Sequence, residues 1–210
     1  MNFNILYLYI VLSIIHLYAC FFKKAKIRFT TKPFIMIILF ALYYTSTQVR
    51  SKELISSIFL AFLGDVFLMY EKLFWYGVIS FWCSDFLYLI IFSRLMPVLN
   101  LTYLSTLITL YVTFYIFVAY KSLWTYFGKL KVQGFVYGLP LLFNNMMSVY
   151  NLIFNHTYVN ALFVVGTAFY GVSDYILIHG KYKKHIRHEN FVIMLTYILA
   201  QGLIVSSFSC

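Results

Sequence analysis

A chain of 210 residues that is 63% hydrophobic, 22% aromatic and only 10% charged, with a mean hydropathy of +0.85, is excluded from the soluble globular class, where about a quarter of residues carry charge. Its 16 basic residues against 6 acidic ones do not make it a nucleic-acid binder, because the Lys and Arg sit in short loops between apolar runs rather than along one solvated face. Cys20, Cys83 and Cys210 stand far apart without CxxC or ligand spacing, which argues against a disulfide framework and against a zinc site.

Crossing a hydrocarbon core takes about 20 apolar residues in a helix. The chain offers eight such runs: Asn2–Phe22, Lys32–Val49, Leu54–Tyr70, Leu73–Phe92, Asn100–Tyr120, Gln133–Phe154, Tyr158–His179 and Asn190–Ser209. The predicted fold is an all-α bundle of eight transmembrane helices, a single domain over residues 1–210. Charge orients it. With the N-terminus outside, Lys23, Lys24, Lys26, Arg28, Lys32, Lys72, Lys121, Lys129, Lys131, Lys181, Lys183, Lys184 and Arg187 fall in inside loops, which is 13 of the 16 basic residues. Arg50, Lys52 and Arg94 fall outside. That bias predicts both termini on the non-cytoplasmic side. The first run has no basic residue before it and KKAKIR after it, so it reads as an uncleaved signal anchor, with no soluble domain expected on either side of the bundle. Two acceptor-type triplets, Asn100-Leu101-Thr102 and Asn155-His156-Thr157, lie in loops that this topology places outside, though both loops are too short for modification to be expected.

Asp65 interrupts the apolar third run in AFLGDVFLMY (Ala61–Tyr70), and Asp174 interrupts the seventh in GTAFYGVSDYILIHGK (Gly166–Lys181). A charge at bilayer depth costs about 2.5–3.5 kcal/mol on insertion scales, so each is a functional-site hypothesis by default. Asp65 lies six residues before Glu71 and Asp174 six before Gly180. At about 1.5 Å of rise per residue both are expected roughly 9 Å below the inside surface. Lys32 and His16 fall at a comparable level. His16 reads as a packed or interfacial histidine, and Lys32 as an inside charge, a snorkelling anchor or a ligand-binding group. A lone aspartate here can equally be protonated glue between helices; two at matched depth favour a site. Gly166, Tyr170 and Asp174 recur every four residues and Lys181 follows by seven, one helical stripe, while Ala61, Asp65 and Leu68 share a face beside Gly64. Asp85 with Tyr88, and Gln201 with Tyr197, lie nearer the midplane and are expected to floor the same cavity.

Lys32-Pro33, LGDVFLM (Leu63–Met69), FLY (Phe86–Tyr88), GVSDYIL (Gly171–Leu177) and TYILAQGLI (Thr196–Ile204) together resemble the YhhN-like transmembrane family, which includes the animal lysoplasmalogenases. The resemblance implies an eight-helix membrane hydrolase that cleaves the vinyl ether bond of lysoplasmalogens to a fatty aldehyde and glycerophosphoethanolamine or glycerophosphocholine, in the endoplasmic reticulum membrane. It makes Asp65 and Asp174 the catalytic pair, with Lys32, Tyr88 and Gln201 as matching polar positions. Together with Asp85 and Tyr170 these form the expected substrate-binding set. Where the family usually has His-x-x-Tyr, this chain has Asp85-Phe86-Leu87-Tyr88. The chemistry needs an acid to protonate the β-carbon and a carboxylate to steady the cation or activate water, so no metal or cofactor is expected. Lys32 is the expected holder of the phosphate. The alternative is a proton-coupled transporter or a lipid-binding membrane protein using the same cavity.

Overall fold

The structure, a computed structural model, describes residues 2–48, 50–97, 99–123, 131–182 and 187–208. The expected span ends at Val49 and Ser209, the loop charges Lys129, Lys183 and Lys184, the thiol Cys210 and the side chains of Lys131 and Lys181 lie outside what is described. Eight α-helices follow in the order the apolar runs predict: α1 Phe3–Phe21, α2 Ala25–Ser46, α3 Lys52–Phe67, α4 Phe74–Arg94, α5 Leu101–Val118, α6 Lys131–Phe154, α7 Tyr158–Tyr182 and α8 Glu189–Ser207. Among the described residues there is no strand.

Five helical segments are long and apolar enough to cross a membrane: Phe3–Phe21, Glu71–Arg94, Leu101–Lys121, Tyr158–Gly180 and Glu189–Ser207. They make the chain an integral membrane protein by length and composition. The other three fall short for separate reasons. Helix α2 starts at Ala25, well before the expected Lys32, and so takes Lys26, Arg28 and Lys32 into its first turns; Pro33 sits inside it. Helix α3 has 16 residues, and α6 carries Asn144, Asn145 and Asn151 along its length.

Boundaries follow from local chemistry. Ser51 caps α3 by accepting the Leu54 amide at 3.2 Å, and Asn100 caps α5 by accepting the amides of Thr102 and Tyr103. Lys23, at φ 55°, turns the chain out of α1, and His188, at φ 57°, turns it into α8. Since lipid tails are as apolar as leucine, helices in a membrane associate by close packing rather than by escape from water, and small residues mark the contacts. An added Cβ on Gly64 of α3 would lie 2.7 Å from the Phe81 ring of α4, and one on Gly166 of α7 would lie 2.8 Å from Ile204 and 3.2 Å from the Ala200 carbonyl of α8. These two pairs, α3 with α4 and α7 with α8, share the most extensive contacts among the described residues. Polar cross-links supplement them: Ser57 with Ser84 at 2.8 Å, Tyr9 to the Ile198 carbonyl at 2.8 Å, and Asn144 to the Asp85 carbonyl at 3.0 Å.

The main core draws on α1, α2, α3, α4, α7 and α8, with Leu39, Ile58, Phe92, Tyr170, Tyr197 and Ile204 among its members. Helix α5 has no buried residue and packs against α6. It stands outside the core.

Candidate active site

Asp65 sits in the last turn of α3 and is 2% exposed. Its Oδ1 lies 3.2 Å from the Lys32 ammonium of α2, and its Oδ2 accepts the Tyr197 hydroxyl of α8 at 2.9 Å. Two charges withdrawn from water are tolerable when each compensates the other and the remaining lone pairs are filled, and that is the arrangement here. Lys32, the expected phosphate holder, is thus placed against Asp65. His16 does not join the pair. Its Nδ1 lies 2.6 Å from Thr31 Oγ1, which already donates to the Ile27 carbonyl and so accepts from the imidazole; the Cys20 thiol is 3.4 Å from Nε2. His16 is a packed, hydrogen-bonded residue of the α1–α2 contact.

Asp174, 4% exposed on α7, accepts a short hydrogen bond from the Tyr137 hydroxyl of α6. Among the described residues no side chain bonds to both Asp174 and Asp65. Tyr197, the partner of Asp65, packs on Tyr170 of α7, ring centroids 6.0 Å apart. Asp85 of α4 is fully buried, and neither of its oxygens finds a hydrogen-bond partner among the described residues. The buried Tyr170 hydroxyl likewise has no hydrogen-bond partner among the described residues. Tyr88 donates to Gln201 Oε1 at 2.8 Å, and both are buried in the core.

The residue counts behind the equal depths expected of the two aspartates do not both run along helix. Helix α3 stops at Phe67, two residues past Asp65, and the chain turns through Leu68–Tyr70 before Glu71, whereas α7 runs on to Tyr182, eight residues past Asp174. A residue count to the next loop equals a depth only while the chain stays helical.

The two carboxylates also differ in what they face. A cleft of about 550 Å³ lies between α5, α6 and α7, and its wall includes Asp174 and Tyr137. Lys32, Asp65, Asp85, Tyr88, Tyr170 and Gln201 are not on that wall. Of these, Asp65, Asp85, Tyr88, Tyr170 and Gln201 are buried, and the Lys32 side chain is 17% exposed. Tyr137 is the functional candidate that sequence reasoning missed; the available signal was Gly134 and Gly138 four residues apart on either side of it, a spacing that marks close helix approach. Among the described residues no group of three His, Cys, Asp or Glu side chains is placed to hold a metal ion.

The profile described as the YhhN family matches residues 27–208. The chain belongs to the YhhN family. The matched stretch begins within α2 and ends just after α8, so the family region holds the Lys32–Asp65 pair, Asp85, Tyr137, Asp174 and the cleft, while α1 precedes it. Among curated proteins and among solved structures, none matches this YhhN-family chain.

Proposed function

We propose that this YhhN-family chain is a membrane hydrolase that cleaves the vinyl ether bond of lysoplasmalogens, with Asp174 as the acid and Asp65 as the supporting carboxylate. The observation that carries the reading is the pairing of an Asp174–Tyr137 contact on a cleft wall with a second buried carboxylate, Asp65, held by a cation. In this reading all eight helices span the endoplasmic reticulum membrane, with both termini on the non-cytoplasmic side.

The bond dictates the steps. Asp174 gives its proton to the β-carbon of the vinyl ether, and the α-carbon becomes an oxocarbenium-like cation. Water adds to that carbon and returns a proton to the carboxylate. The hemiacetal then breaks its bond to the glycerol oxygen, releasing fatty aldehyde and the glycerophospho head group. Asp174 suits the acid role because it faces the cleft and has no cationic partner among the described residues. The Tyr137 hydroxyl occupies Oδ2, which leaves Oδ1 to carry the proton toward substrate. Asp65, fixed as an ion pair with Lys32, supplies negative charge that steadies the cation without being consumed, the division of labour that paired acids adopt at glycosidic bonds.

Purified protein given lysoplasmenylethanolamine is expected to release aldehyde, and the ester lysolipid to remain intact. Asp174→Asn, which keeps the shape and the Tyr137 contact, is expected to lower the rate by about 10²–10⁴-fold, the usual worth of a general acid. Aldehyde release unchanged in a folded Asp174→Asn protein would remove Asp174 from the chemistry. Lipid retained by the wild type without any cleavage would favour the lipid-binding reading.

A further inference from the structure

We propose that the cleft between α5, α6 and α7 receives the hydrocarbon chain of the substrate, and that Gly171 sets how much chain it admits. The inference rests on the lysolipid hydrolase reading for the identity of the substrate, and on geometry for the seat of its chain.

The volume, about 550 Å³, lies within the roughly 300–1,000 Å³ common for small-ligand sites. Along α7 the wall runs from Thr167 to Ile178, a length of roughly 16 Å at the helical rise. No Lys, Arg or His lines it, so an anionic head group has no counter-charge there and stays beyond the Ile178 end. The polar atoms at the Thr167 end are already engaged. Tyr111 donates to Asn145 Oδ1 at 2.8 Å, Asn145 donates to Thr167 Oγ1 at 2.9 Å, and Thr167 donates to the Phe163 carbonyl at 2.8 Å. What remains for an occupant is a largely apolar channel whose polar groups nearer the Ile178 end are the Asp174 carboxyl, with its Tyr137 contact, and the Tyr175 hydroxyl. A lysolipid chain threaded toward Thr167 would set its head-proximal bond beside that carboxyl.

Gly171 lies three residues from Asp174 on this wall. At Gly64 and Gly166 the missing Cβ makes room for a neighbouring helix, whereas at Gly171 an added Cβ meets nothing within 4 Å. Packing does not require a glycine there. Its hydrogen leaves the channel open one turn from the acid, so a larger side chain would fill the space the chain needs.

Two measurements on the full chain in nanodiscs test this. A long-chain alkyl lysophosphocholine with a terminal diazirine, which has no vinyl ether to cleave, is photolysed on the wild type and its adducts are mapped by peptide mass spectrometry. Aldehyde release from long-chain and short-chain lysoplasmalogens is compared for wild type, Gly171→Ala and Gly171→Leu. Adducts are expected on cleft-facing positions of α5–α7 and lost in Gly171→Leu, with the long-to-short ratio of kcat/KM falling about tenfold in Gly171→Leu and little in Gly171→Ala, which also controls for folding. Adducts confined to other helices, or an unchanged ratio in Gly171→Leu, overturn the chain seat while leaving hydrolysis standing. A wild type that releases no aldehyde overturns the hydrolase reading, and the adduct map then decides the seat alone.

Discussion

At 3.2 Å and largely out of water, the Lys32 ammonium and the Asp65 carboxylate each become an uncompensated buried charge when the other is removed, a loss that typically costs about 3–5 kcal/mol. Lys32→Met is therefore expected to lower the unfolding midpoint in detergent sharply, and Lys32→Met with Asp65→Leu to recover most of it. Strict additivity of the two single changes would show that the pair is not coupled. Asp85 has the opposite sign. A buried carboxyl whose oxygens find no partner among the described residues carries a desolvation cost of about 1–3 kcal/mol, so Asp85→Leu is expected to raise the midpoint. If Asp85 also serves the reaction, the same change lowers aldehyde release, the trade-off expected of functional groups kept at a cost in stability. Asp65 and Asp174 were legible in the sequence because a charge inside an apolar run is expensive and conspicuous. Tyr137 was not, being one of 20 tyrosines in a chain where that ring serves core, lipid interface and site alike. Nor does sequence separate a free ammonium from one paired with a carboxylate on the next helix.

Among the helices, α7 and α8 meet where Gly166 lies against Ala200 and Ile204. The 3.2 Å approach to the Ala200 carbonyl is to backbone, which cannot swing aside as a side chain can. Gly166→Val is expected to force the helices apart, cost about 1–3 kcal/mol of overpacking and weaken the setting of Asp174 two turns along. The unfolding midpoint and aldehyde release should fall together, in contrast to Gly171→Leu, where chain selectivity changes first. A Gly166→Val protein of unaltered stability would show that the contact is slack. All eight helices were readable as apolar runs, and the small-residue stripes at Gly64 and Gly166 were readable as contact lines. The ends of α2 and α3 were not, because hydropathy sees neither a helix extended through Lys26 and Arg28 nor the turn at Leu68. The outlying position of α5 was equally hidden: residues facing lipid and residues facing a membrane-protein core are drawn from the same apolar set.

For the molecule as a whole, the basic residues of the short loops predict that tags at both termini are protease-sensitive from the non-cytoplasmic side of sealed vesicles. Termini on opposite sides would overturn the eight-span arrangement, and both protected there would invert it. Helix α5, with no buried residue and its hydroxyls reaching α6 at Phe135 and Asn145, is one whole side of the cleft. A site walled by a helix that is itself bathed in lipid draws on the leaflet as its solvent. On the hydrolase reading, the rate should follow the mole fraction of lysolipid in the bilayer and fall when inert phospholipid dilutes it at constant bulk concentration. The aldehyde would leave by the same route, partitioning sideways into acyl chains, and product inhibition should likewise scale with membrane composition rather than with aqueous volume.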